Sequence, residues 1–146
     1  MRLAISNRSA TVATLGHPLA ICAIALALAG FPPARLDVVV QVSRPGGPLR
    51  TEHGVLRCSG TRARGTGFLR ARAKPACRLT GSGALQRIVH AQRSQRVCSQ
   101  IYGGPQRARI TGRVGKQRIE LTVTRADGCG VSDWQTLLAL LGDPNR

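Results

Sequence analysis

The residues in this chain best suited to meet another molecule lie in one short run, Val97-Cys98-Ser99-Gln100-Ile101-Tyr102-Gly103-Gly104-Pro105. A cysteine anchors its start, Gly-Gly-Pro turns the chain at its end, and a strand-like alternation follows at once. Between these anchors, at Gln100 and Ile101, a single extended peptide bond could be held exposed. A protease takes its substrate as an extended strand, so a segment already fixed in that shape avoids most of the ordering cost of binding. Taken alone, these residues favour a plainer account, a disulfide-linked connection whose Ile101 and Tyr102 pack inward.

Other constellations carry less chemistry. A hydrolase brings a nucleophile, a base and an orienting acid together. Past residue 29 the chain has two histidines, His53 in a turn-like segment and His90 on a helical pattern, and six scattered acids. Neither histidine belongs to a catalytic motif such as G-x-S-x-G. Gly81-Ser82-Gly83 lacks the lysine of a phosphate loop and the third glycine of a dinucleotide fingerprint, and reads as the lead-in to a helix. The expectation is a protein that is not an enzyme and needs no metal or other cofactor.

The chain has 146 residues, and its first 29 read as a secretory signal rather than part of a fold. Arg2 and Arg8 form a basic start, Leu19 to Ala29 is apolar, and Ala27-Leu28-Ala29 is a cleavage-type ending. A membrane-spanning helix needs about 20 apolar residues, and this run has eleven before Gly30 and Pro32-Pro33. Cys22 lies inside the apolar run and is discarded with it, because Ile21 is not the small residue a lipoprotein site requires. Residues 30–146 then form one secreted domain, with 20 basic against 6 acidic side chains, a balance of +14.

Four cysteines remain, Cys58, Cys77, Cys98 and Cys129. An even number in a short exported chain reads as two disulfides, and no C-x-x-C pair points to zinc or redox chemistry. Three connectivities are open at this point. Sequential pairing would close loops of roughly 20 and 30 residues, each contributing about 3 kcal/mol, comparable to the whole margin of so small a core.

The charge makes nucleic acid a competing partner, since neutralising phosphates alone gives salt-dependent binding. Phe68, Tyr102 and Trp134 are too few for a stacking platform, and the cations are spread along the chain rather than gathered on one helix. No specific nucleic-acid partner is expected; weak adhesion to anionic surfaces suits the charge better.

The elements that must position Gln100 and Ile101 come from periodicity. Leu36–Val42 (LDVVVQV) predicts a first strand, and Val55–Cys58 a short second one. Ser59–Pro75, basic and glycine-containing, predicts a surface loop. Leu85, Ile88, Val89 and Gln92 predict a helix from Ala84. From Arg107 to Arg125, apolar and polar residues alternate on both sides of Gly115-Lys116, which predicts a hairpin with a type II′ turn. That register pairs Gly112 with Ile119, Ile110 with Leu121 and Ala108 with Val123, leaving every apolar side chain on one face. Ser132 with Gln135 forms a capping box, and Trp134, Leu137, Leu138 and Leu141 predict a helix that stops at Gly142 and Pro144. The sum is an α+β domain of strands, antiparallel hairpins and two helices.

With these residues in view, Leu36 to Trp134 resembles the Streptomyces subtilisin inhibitor family. The features that carry the resemblance are Leu56-Arg57-Cys58, Ala76-Cys77 followed by Leu79, then Cys98 with Tyr102 four residues on, Pro105, the hairpin and Cys129. The resemblance implies bridges Cys58–Cys77 and Cys98–Cys129 and a reactive bond, Gln100-Ile101, two residues after Cys98. It implies Val97, Cys98, Ser99, Tyr102 and Gly103 as the protease-contact residues around that bond. It implies an antiparallel β-sheet covered on one side by the two helices, secretion, a subtilisin-like serine protease as partner, and a homodimer formed through the sheet. The alternative is an extracellular or envelope-associated binding protein that keeps the fold without inhibiting. Four features depart from the family pattern, one of them the balance of +14, which is far from typical. Ser99 replaces a proline, Gly103-Gly104-Pro105 is one residue longer than the usual Asp-Pro, and Trp134 to Leu141 is helical where a strand is common.

Overall fold

The computed structural model describes residues 30–146, so the expected signal segment, with Cys22 and Ala27-Leu28-Ala29, lies outside the described residues. Five strands form one antiparallel sheet: β1 (Phe31–Val42), β2 (Arg50–Gly60), β3 (Arg62–Gly65), β4 (Arg107–Val114) and β5 (Gln117–Thr124), in the order β3-β2-β1-β4-β5. Alternation decides which face each side chain takes. Leu36, Val38, Val40 and Val42 of β1 are buried while Arg35 and Asp37 are exposed. The expected hairpin register holds, with Gly112 opposite Ile119, Ile110 opposite Leu121 and Ala108 opposite Val123. Gly115 has φ +58° whereas Lys116 keeps a negative φ, the combination that a type II′ turn demands.

Helices cover the apolar face. They are α1 (Ala73–Gly81), α2 (Ala84–Arg93), α3 (Gly128–Thr136) and α4 (Leu138–Leu141), so four stand among the described residues where two were expected. Their inward residues, Leu85, Ile88, Trp134, Leu137, Leu140 and Leu141, join the strand residues in one core. Trp134 is fully buried, and its indole N–H donates to the Gly142 carbonyl at 3.0 Å, which satisfies the ring's polar atom. Bridges Cys58–Cys77 and Cys98–Cys129 are both formed, the first between β2 and α1 beneath the surface. The architecture is α+β. Among the described residues no helix is long and apolar enough to cross a membrane.

Two sequence expectations are corrected. The segment Ser59–Pro75 is not a loop: it holds the end of β2, all of β3, a 3-10 turn at Gly67–Leu69 and the start of α1. Arg62, Arg64 and Arg70 are exposed and Arg72 is half-buried, while Leu69 and Ala73 are buried, so a narrow apolar face is hidden in a basic composition. The C-terminal helix begins at Gly128 rather than beside Ser132, and its N-cap is Asp127, whose Oδ1 accepts from Gly130 N–H at 2.8 Å. Ser132 lies inside α3, its carbonyl accepting from the Thr136 hydroxyl at 3.0 Å. Two glycines in the first turn, poor helix formers, conceal that start in the sequence. At Gly128 the reason for glycine is space, because a Cβ there would run into the Ser99 side chain.

Candidate functional site

The run singled out in the sequence leaves α2 at Arg93 and reaches β4 at Arg107, and its two flanks are fixed by different means. On the first flank, Arg96 turns back onto α3. Its Nη1 donates to Asp133 Oδ1 at 2.9 Å and its Nη2 bonds Oδ2. Asp133 is only 4 % exposed, so the fork of the guanidinium meets a carboxylate with little competing water. The hydrogen bond to Asp133 holds the Arg96 pKa above its ordinary value, outweighing the opposing effect of burial. Two residues on, the Cys98–Cys129 bridge ties the segment to the first turn of α3. The Gly128 N–H then donates to the Ser99 carbonyl at 2.9 Å.

On the second flank the Gly103 N–H donates to the Arg125 carbonyl at 2.7 Å. Gly104, at φ +130°, takes a conformation that favours glycine. Gln106 is buried and fully engaged: its Nε2 donates to Ser43 Oγ at 3.3 Å and to Asn145 Oδ1 at 3.2 Å, while its Oε1 accepts from Arg125 Nη1 at 2.9 Å. The anchoring therefore stops at Ser99 and resumes at Gly103.

The three residues between, Gln100, Ile101 and Tyr102, are exposed. Ile101 is 63 % and Tyr102 66 % accessible, and Val97 is 99 % accessible. The inward packing that the local residues favoured does not occur. Only two other large apolar side chains are exposed among the described residues, Leu49 and Leu138. Burying such a side chain is worth about 1.5–3 kcal/mol, and this segment forgoes it three times within six residues. Val97, Ile101 and Tyr102 thus stay in water on a segment anchored at both flanks.

Comparison with known proteins adds one likeness. No family model and no curated protein matches this chain. Among solved structures it is similar to sermetstatin of Streptomyces caespitosus, determined in complex with Bacillus licheniformis subtilisin. The two share 22 % identity at a TM-score of 0.40, over 69 % of this chain and 90 % of that one.

The remaining chemical candidates are not brought together. His53 Nε2 lies 2.9 Å from Asp37 Oδ1 on the exposed side of the sheet, and His90 is exposed on α2. Cys98, Cys129 and Asp127 lie close enough to hold a metal ion, but the two sulfurs are joined to each other and Asp127 caps α3. Sequence reasoning missed the scaffold of the segment, namely Arg96, Asp133, Arg125 and Gln106. Their one legible signal was position: Arg96 and Gln106 directly flank the run, while Asp127 and Asp133 bracket Cys129.

Proposed function

We propose that this chain is a secreted inhibitor of subtilisin-like serine proteases, with Gln100-Ile101 as its reactive bond. The observation that carries the proposal is the exposed apolar trio of Val97, Ile101 and Tyr102, on a segment clamped at both flanks. In this reading Gln100 is P1, Ser99 P2, Cys98 P3 and Val97 P4, while Ile101 and Tyr102 are P1′ and P2′, with Gly103 closing the contact. The motif resemblance in the sequence supports the same assignment.

The mechanism is substrate-like. The enzyme's serine attacks the Gln100 carbonyl, but the Ile101 amine is held in place through Gly103 and Arg125, so religation outruns hydrolysis. Little ordering is lost on binding, because the bridge and the Arg96–Asp133 pair have already fixed the segment. Interfaces of this kind bury about 1,600 Å² and include some of the tightest pairs known.

Titrating subtilisin with the purified protein tests the proposal. A stoichiometric loss of peptidase activity is expected. Full activity at a tenfold excess of the protein would instead favour an extracellular binding protein with this fold and no inhibition.

A further inference from the structure

The sheet gathers what the chain order scatters. Across the strands in register, Arg64 of β3 stands opposite Arg57 of β2, Arg57 opposite Arg35 of β1, Arg35 opposite Arg113 of β4, and Arg113 opposite Arg118 of β5. One arginine per strand thus forms a single row across the whole sheet. The row is on the face turned away from the helices, and all five residues are exposed. With strands about 4.8 Å apart, it spans roughly 19 Å.

Such a row opposes the fold, because like charges directly across a sheet destabilise it. No ion pair among the described residues includes any of the five. The acids on this face are engaged elsewhere, Glu120 with Arg109 at 3.3 Å and Asp37 with His53 at 2.9 Å. Five guanidinium groups therefore face solvent with their donors free of any ion pair among the described residues.

We propose that this row binds a flexible, base-free phosphodiester chain, of the kind a polyol-phosphate polymer of a cell envelope presents. Charge complementarity calls for a polyanion, and the fork of arginine suits the paired oxygens of a phosphate. The face lacks a stacking platform for bases, since Trp134 lies in the core, Phe31 and Phe68 pack against it, and Tyr102 belongs to the clamped segment. Sheet twist of about 20–25° per strand turns the row through roughly 90° from end to end. A flexible chain follows that turn, whereas a flat bilayer or a straight duplex meets only part of it. A second copy of this chain is a poor occupant, because face-to-face pairing would set two such rows against each other. The sheet-mediated dimer that the family resemblance implies is therefore disfavoured here. None of this depends on the inhibitor reading, which concerns other residues.

The test measures binding of poly(glycerol phosphate) across a salt series, with two double variants. Arg35→Gln/Arg113→Gln breaks the row, and Arg78→Gln/Arg93→Gln removes the same charge from α1 and α2. Five phosphate contacts on a single-stranded chain predict a slope of log K against log salt near −3.5, and the row variant should lose about 1.4 of it. It should bind about tenfold more weakly in moderate salt, and melt higher in low salt because a repulsion has gone. The control variant should keep the full slope. Equal losses in the two variants would overturn the site, and a lower melting temperature of the row variant would assign the arginines to the fold instead. Binding of single-stranded DNA of matched phosphate number more than tenfold tighter would replace the proposed ligand by nucleic acid. Binding to phosphatidylglycerol vesicles alone would replace it by a membrane.

Discussion

Gln100 sets the specificity of the proposed inhibitory encounter, because a P1 side chain enters the enzyme's pocket alone. It is unbranched and neutral, which fits the broad, mostly apolar pocket of a subtilisin-like enzyme. It offers no cation to the carboxylate at the base of a trypsin pocket, and leaving that group unpaired costs about 3 kcal/mol or more, over a hundredfold in affinity. Subtilisin should be inhibited and trypsin hardly at all, while Gln100→Lys should create trypsin inhibition without changing the fold. A correctly bridged Gln100→Lys protein with no gain against trypsin in a competitive peptidase assay would move the reactive bond elsewhere. Arg96 makes a separate prediction. Arg96→Ala leaves the buried Asp133 carboxylate with Gln92, whose Nε2 is 3.5 Å away, as its remaining side-chain partner. The expected loss is about 2–3 kcal/mol in urea unfolding, somewhat below a fully buried pair because Arg96 is partly open to solvent. The pKa of Arg96 is raised in the fold, so its stabilisation is fully present below the ordinary arginine value and lost only as pH rises through the raised one. The difference between wild type and variant should therefore stay constant from about pH 6 to pH 10, a range in which arginine remains charged.

Among the elements, the two disulfides separate stability from function. Removing Cys98–Cys129, by Cys98→Ser with Cys129→Ser, frees a loop with a sequence separation of 31 and should cost about 3–4 kcal/mol. Removing Cys58–Cys77, by paired alanine substitution at buried positions with a separation of 19, should cost about 3 kcal/mol. Inhibition measured on the folded fraction should collapse in the first variant and persist in the second, because only Cys98 lies in the contact segment. Comparable losses in both would mean that the segment needs no local anchor. The hairpin of β4 and β5 was legible in the sequence because alternation and a Gly-first turn specify one register without outside help. The run from Ser59 to Pro75 was not, because Leu69, Ala73 and Ala76 are too sparse and too small to show a period among arginines. The start of α3 was hidden for another reason: Gly128 and Gly130 are there for close approach to Ser99 and Thr124, a demand that comes from tertiary structure. The candidate segment was visible as Val97 through Pro105, whereas the partners that hold its flanking Arg96 and Gln106, namely Asp133, Arg125, Ser43 and Asn145, arrive from distant parts of the chain.

For the molecule as a whole, peptide mapping without reduction should recover Cys58 with Cys77 and Cys98 with Cys129, and a Cys77–Cys98 peptide would contradict both the structure and the motif resemblance behind the proposed reactive bond. The path of the chain through the second bridge has a further consequence. Hydrolysis between Gln100 and Ile101 would divide residues 30–146 into two polypeptides. The first would hold the Cys58–Cys77 pair and Cys98, and the second would hold Cys129. The cut therefore falls inside a covalent ring, and a nicked molecule keeps both pieces with β1 still paired to β4. After long exposure to protease it should weigh one water more than the intact protein, migrate as a single band on a non-reducing gel, and separate into two only when thiol is added.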